Sequence, residues 1–215
     1  AYIASHDLQE PLRMVASYTK LLQQRYKGKL DQDADDFIMF AADGAVRMRD
    51  LIEDLLTYSR VTTQAKPLEL VDTQSVFEQA LMNLKMAVQD CHASVTFSNL
   101  PKVMADPIAM MQLFQNLIGN ALKFHGKEPL IIHMACEPKN KVWLFSLQDN
   151  GIGIDPANFN RIFAVFQRLH TREEYPGTGI GLAICKKIVE LSGGEMGFTS
   201  TYGQGTTFWF TLSKV

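Results

Sequence analysis

The chain has 215 residues, 47% hydrophobic and 20% charged, enough for a core domain of about 100–150 residues plus a smaller element and too apolar for disorder. Its formal net charge of −2 leaves no basic footprint, which argues against nucleic acid as a partner. Cys91, Cys136 and Cys185 stand far apart and read as reduced thiols of a cytoplasmic protein, and no apolar run approaches the roughly 18–20 residues of a membrane span, so no membrane contact is expected of this fragment.

The first part is helical. Ala4, Leu8, Pro11, Val15, Tyr18 and Leu22 recur at spacings of 4 and 3, an a/d stripe. After the polar turn Lys27-Gly28-Lys29-Leu30-Asp31, a second stripe runs Phe37, Ala41, Gly44, Met48, Leu51, Leu55, Tyr58 for about three heptads. Two such helices joined by a short turn predict an antiparallel hairpin. A lone hairpin buries little apolar surface, so two copies are expected to pair into a dimeric four-helix bundle, the alternative being packing on the chain's own second domain. With Ala4 at d and Leu8 at a, His6 falls at the exposed f position and Asp7 at g. Pro11 removes a backbone hydrogen bond one turn later, at a cost of about 3 kcal/mol in a helix interior. A helix carrying His6 so near its start is expected to be cut short.

Residues 61–69 lose the stripe and contain Pro67, which reads as a linker. Beyond it, helix-like stretches fall at about 73–90, 107–125 and 179–192, and strand-like runs at about 94–98, 130–136, 142–148, 195–200 and 206–212. Grouped strands with interspersed helices predict an α/β sandwich with helices on one face of a mixed sheet.

Three segments of this second part carry chemistry. On the helix at 107–125, Asn116, Asn120 and Lys123 share one face, beside an apolar stripe of Met110, Phe114, Leu117 and Ala121. Amide oxygens suit Mg²⁺ and a lysine suits phosphate; a solvated helix face is the plainer alternative. Asp149-Asn150-Gly151-Ile152-Gly153 closes a strand, where a carboxylate can accept from an exocyclic amine such as adenine N6, and the same residues also make a good turn. Gly177-Thr178-Gly179-Ile180-Gly181 opens a helix whose free N–H groups suit a polyphosphate, yet it follows neither the P-loop nor the dinucleotide pattern. Between them, residues 168–176 read as a lid over a nucleotide, with Arg168 or Arg172 in reach of phosphate, or else as a solvated loop.

In this order, the motifs make the chain resemble the core of a sensor histidine kinase of the phytochrome-like or PAS-linked kind. The H box is Ser5-His6-Asp7-Leu8-Gln9-Glu10-Pro11-Leu12, the N box 116–125, the glycine boxes 149–153 and 177–181, and the F box Ile162-Phe163-Ala164-Val165-Phe166. The resemblance implies an α+β chain: a dimerisation and phosphotransfer hairpin (1–62), a linker (63–69) and an ATP-binding domain of the gyrase/Hsp90/histidine-kinase/MutL type (70–215). It further implies that His6 takes the γ-phosphoryl of ATP, activated by Asp7, and that an aspartate of a response-regulator receiver domain then accepts it. Asn120 matches the Mg²⁺ ligand with Asn116 close by, and Asp149 the adenine-binding aspartate. Gly151, Gly153, Gly177, Gly179 and Gly181 match the glycine positions, Phe163 and Phe166 the lid anchors, and Thr206 a threonine near the adenine pocket.

Three positions differ from their counterparts in related proteins. Gyrase- and Hsp90-like relatives carry a water-activating Glu where this chain has Asn116, which disfavours the rival reading of a hydrolytic ATPase; a dimeric adaptor without catalysis is a second rival. His125 stands where the family usually has Ser or Thr, with no role assigned, and the Cys91-His92 pair reads as packing. Glu10 occupies the position four residues after the histidine, where Thr or Asn commonly positions the water that dephosphorylates the regulator. A carboxylate sits badly beside a dianionic acyl phosphate, so phosphatase activity is expected to be weak. Glu10→Thr should accelerate loss of label from a phosphorylated receiver domain, and an unchanged rate would refute this assignment.

Overall fold

The computed structural model describes residues 2–63, 67–169, 175 and 177–214, with side chains from Glu10 onward. The chain divides into two compact units, 1–60 and 61–215.

The first unit consists of α1 (Tyr2–Tyr26) and most of α2 (Gln32–Thr63). The turn between them is tied at both ends. The Gly28 N–H donates to Asp35 Oδ2 (2.8 Å), and Asp31 caps α2 by accepting from the Ala34 N–H (2.9 Å). Pro11 lies inside α1 and the helix continues through it.

The buried side chains here are Leu12 and Ala16 on α1 and Ala42, Ala45 and Leu56 on α2. Mostly small, they leave room for close helix approach. The a/d stripe read from the sequence lies one position away, and much of it is exposed, with Tyr18 59%, Phe37 69% and Met48 49% exposed, while Gly44, Leu51 and Tyr58 are half-buried. The seam within the hairpin is therefore not the strongest apolar stripe of either helix. Among the described residues, Val15, Tyr18, Leu22, Phe37, Met48 and Leu55 of the stripe are exposed.

The second unit is an α/β sandwich. A five-stranded mixed sheet has the order β2-β4-β5-β7-β6, formed by β2 (Ser94–Phe97), β4 (Ile131–Lys139), β5 (Val142–Asp149), β6 (Met196–Thr201) and β7 (Gly205–Ser213). β2 runs parallel to β4, and the other pairings are antiparallel. Helix α5 (Pro107–Lys123) packs against α3 (Thr73–Asn83) and α6 (Gly181–Leu191); the short α4 (Lys85–Asp90) follows α3.

An aromatic chain joins the layers. Phe77 of α3 meets Phe97 of β2 (5.4 Å between centroids) and Phe114 of α5 (5.3 Å), both edge to face. Phe114 reaches Phe210 of β7 (6.4 Å), which stacks on Phe145 of β5 (4.8 Å). Each pair adds about 0.5–1.5 kcal/mol beyond its buried area.

The helices and strands expected beyond residue 70 are present, with three adjustments. The helix expected over 73–90 breaks at Leu84, and the last helix begins at Gly181 instead of 179. A two-stranded antiparallel sheet, β1 (Glu69–Asp72) with β3 (Lys102–Ala105), was not anticipated. Both strands are four residues long and lie near prolines, Pro67, Pro101 and Pro107, so period-2 alternation had too little length to register. Helix α2 extends to Thr63 and β1 opens at Glu69, so the two ends of the stretch read as linker are helix end and strand start.

Fully buried Phe114 touches both neighbouring layers. Phe114→Ala should lower unfolding free energy by roughly 3–5 kcal/mol in urea denaturation, and a loss below about 1 kcal/mol would contradict this account of the core.

Candidate functional site

Helix α5 sets one side of the site. Asp106 caps it, its Oδ1 accepting from the Ile108 N–H (2.9 Å), and Pro107 occupies the first turn, where its missing N–H costs nothing. Met110, Leu113, Phe114, Leu117, Ile118, Ala121 and Leu122 are buried, which fixes the rotation of the helix. The adjacent face then carries Asn116, Asn120 and Lys123, all partly buried.

The three side chains differ in their surroundings. Asn116 Oδ1 accepts from Gln112 Nε2 (2.9 Å), and its Nδ2 donates to the Gly181 carbonyl (3.2 Å). Asn120 holds a buried Nδ2 with no hydrogen-bond partner, the one such side-chain atom among the described residues. Lys123 Nζ lies 4.4 Å from the Phe124 ring centroid. Burial, and secondarily the charge of Arg168, lowers the Lys123 pKa. An anion placed there would offset both costs.

The second cluster forms around Asp149. It closes β5 on the core-facing side of the sheet, paired in register with Ile132 and Thr206, and is 8% exposed. Its Oδ1 accepts from the Gly151 N–H (2.8 Å) and the Thr206 N–H (3.2 Å). Burial pushes its carboxyl pKa up, against the opposing pull of these two bonds. Thr206 Oγ1 shares a hydrogen bond with Ser200 Oγ (2.9 Å), which also accepts from the Ile154 N–H.

Backbone contacts join the two clusters. The Ile152 N–H donates to the carbonyl of Phe124, just past the end of α5 (3.0 Å). A Cβ on Gly151 would come within 2.4 Å of that same oxygen, so only glycine permits the approach.

The second glycine segment meets the α5 face. Gly179 has φ +78°, and a Cβ there would stand 2.5 Å from the Gln167 carbonyl oxygen. A Cβ on Gly177 would meet Lys123 Nζ at 2.6 Å. Gly181 has ordinary space beside Asn116, so its role is not steric necessity. Gly153 lies in the first glycine loop with φ +67°.

Of the two F-box aromatics, Phe163 is anchored, 6.0 Å from Phe198 and beneath Lys186 Nζ (5.4 Å). Phe166 is half exposed with φ +64°, so it does not anchor in this conformation. Arg168 Nη2 donates to the Tyr175 carbonyl (2.8 Å), and the Tyr175 ring lies 5.0 Å from Phe124. His125 Nδ1 meets its neighbour's Gly126 carbonyl oxygen (2.8 Å), a local turn contact.

The structure thus brings Asn116, Lys123, Gly177 and Gly181 together, and Asp149, Gly151 and Thr206 together. The His6 and Asp7 side chains, Arg172, and lid residues 170–174 and 176 lie outside the described residues. Sequence reasoning missed Gln112, Ser200 and Lys186. Gln112 carries a readable signal, since it stands one helical turn before Asn116 on the same face.

Two family models match the chain. One, described as histidine kinase-, DNA gyrase B- and HSP90-like ATPase, covers residues 105–215; the other, the His Kinase A (phospho-acceptor) domain, covers residues 1–64. Cyanobacterial phytochrome A of Nostoc sp. is 52% identical over 212 residues, covering 99% of this chain and 28% of that protein. The phytochrome-like protein Cph1 of Synechocystis sp. is 51% identical over 212 residues, with the same coverage, 99% and 28%. The chain therefore spans under a third of the length of these curated relatives. Full-length ShkA in complex with AMPPNP aligns with a TM-score of 0.73 at 26% identity, covering 100% of this chain and 46% of that one. Among the described residues, no helix is long and apolar enough to cross a membrane.

The Asp149 environment has a pH consequence. Because the folded state holds this proton more tightly than the unfolded chain, ionisation costs stability as pH rises above the ordinary aspartate value of 3.8 through the higher folded value. Asp149→Asn removes that cost, so its melting temperature relative to wild type should climb from about pH 3.5 to pH 6. A difference that stays flat over this range would show that the carboxyl is not raised.

Proposed function

The chain belongs to the sensor histidine kinases, with a phospho-acceptor hairpin followed by an ATP-binding domain of the gyrase B- and HSP90-like type, and from this we propose that it uses ATP to phosphorylate its own His6 and passes the phosphoryl group to an aspartate of a response-regulator receiver domain. The observation that carries the reading is the pair of joined clusters: a buried carboxylate at one end and an amide–lysine face meeting a glycine segment at the other. Their order suits a nucleotide, base at Asp149 and phosphates toward Lys123.

In this reading Asp149 accepts a hydrogen bond from the adenine amine, and the Gly151 and Thr206 N–H groups hold the carboxylate for that task. Lys123 gains an anionic partner for its partly desolvated ammonium. The N–H groups opening α6 face the phosphates. Gyrase-like hydrolysis needs a carboxylate base at the start of the N box; Asn116 provides none, which favours transfer to a side chain over transfer to water.

The residues fit Mg²⁺ at Asn120. Its partnerless buried amide end is a place that rotation of the amide fills with the oxygen that Mg²⁺ prefers. When bound, the ion would supply charge neutralisation at the phosphates, in a reaction that depends mainly on alignment and charge compensation.

His6 would act as the nucleophile, with Asp7 orienting or deprotonating its ring. We assign residues 1–62 to dimerisation and phosphotransfer, 63–69 to the linker and 70–215 to ATP binding, and the working location to the cytoplasm. Dimerisation is supported by the uncovered stripe with Tyr18, Phe37 and Met48, which a second hairpin would cover.

Incubation with γ-labelled ATP and Mg²⁺ tests the proposal. Wild type should acquire acid-labile, base-stable label that His6→Gln lacks. Phosphate release that survives the substitution would instead make the protein an ATPase.

A further inference from the structure

The N-box face holds two asparagines at equivalent helical positions, yet they are not in equivalent states. Asn120 has an unpartnered buried nitrogen, while both ends of the Asn116 amide are engaged.

The direction of that engagement follows from the acceptor at its far end. The Gly181 carbonyl can only accept, so it demands the nitrogen of Asn116. That leaves Asn116 Oδ1 facing Gln112, which must present its own nitrogen, as it does at 2.9 Å. Turning either amide would set oxygen against oxygen or nitrogen against nitrogen. The chain Gln112–Asn116–Gly181 is therefore self-consistent in one sense only. It is backed by the fully buried Cys185, one turn into α6, whose thiol lies within reach of the Asn116 side chain and 3.9 Å from the Leu113 carbonyl.

The contact spans two helices. Gly181 is the first residue of α6, the helix that the second glycine segment opens. Asn116 stands on α5 one turn before Asn120 and two before Lys123. A bond between them fixes the spacing between the amide–lysine face and the N–H groups at the start of α6.

We propose that Gln112 and Asn116 form a latch holding the first turn of α6 against α5, so that Asn116 is a positioning residue and not a metal ligand, with Asn120 alone left to offer its amide to a cation. The proposal rests on the nucleotide reading above and refines it. Gln112 sets the sense of the Asn116 amide. The latch is needed where a ligand touches both helices at once, as a polyphosphate would, and not where it touches only the Asp149 end.

Gln112→Met keeps length and helix preference while removing the donor. In ligand-free protein it should speed hydrogen exchange at the Ile184 and Cys185 backbone amides, read by NMR. In binding titrations its affinity for ATP should fall about three- to tenfold, the size of one neutral hydrogen bond, while affinity for adenosine stays unchanged. Asn116→Ala should reproduce this split without moving the half-saturating Mg²⁺ concentration, and the double variant should be no weaker than Asn116→Ala alone. Wild-type exchange rates in Gln112→Met would overturn the latch, as would equal losses for ATP and adenosine, or a Mg²⁺ midpoint that shifts in Asn116→Ala. A wild type that binds neither ATP nor adenosine would defeat the nucleotide reading, while the ligand-free exchange would still decide for or against the latch.

Discussion

Everything at the candidate site depends on the rotation of one helix. Helix α5 must bury Met110, Phe114, Leu117 and Ala121 between the sheet and its neighbouring helices, and each large apolar side chain contributes about 1.5–3 kcal/mol by leaving water. A rotation that swung Asn116, Asn120 and Lys123 further into solvent would pull Phe114 out of contact with Phe77 and Phe210. The polar face is thus held by the apolar one. The half-buried state of these residues, expensive for a lysine, follows from the same geometry.

The Asp149 carboxylate shows the complementary arrangement. Along β5, Phe145 and Leu147 point into the core, and strand alternation carries the next inward position to Asp149. An apolar residue would continue the pattern; a carboxylate breaks it at the last residue, where loop N–H groups can partner it. Two backbone donors, from Gly151 and Thr206, reduce the desolvation penalty without cancelling it, so the group remains above its ordinary pKa. A site that keeps a carboxylate under such conditions is the kind of local inconsistency that marks function.

The sequence made much of this legible, for identifiable reasons. The α5 face could be read because seven buried positions and a capping Asp106-Pro107 give a strong 3.6-residue period. Asp149 and the first glycine box could be read because a long alternating strand ends in turn residues. The β1–β3 sheet could not be read, since four residues carry barely two periods. Nor could the bond from Asn116 to Gly181, whose two residues lie 65 positions apart in sequence. Phe166 could be read as an aromatic of the F box but not as a left-handed, exposed one, because nothing in its residue type favours a positive φ.

The hairpin illustrates how a correct pattern can point to an unexpected surface. Its strongest heptad stripes do not close the hairpin; that task falls to Leu12, Ala16, Ala42 and Ala45 in the neighbouring line. Alanines at a seam bring helices close but remove little apolar surface, since each buries roughly one methyl group. Two helices held so lightly leave their larger side chains, Tyr18, Phe37 and Met48 among them, facing water. Exposed apolar area of that extent would favour the docking of a second hairpin, as proposed above. In the proposed dimer the weak internal seam would be reinforced from outside, so hairpin closure and association would become one cooperative step.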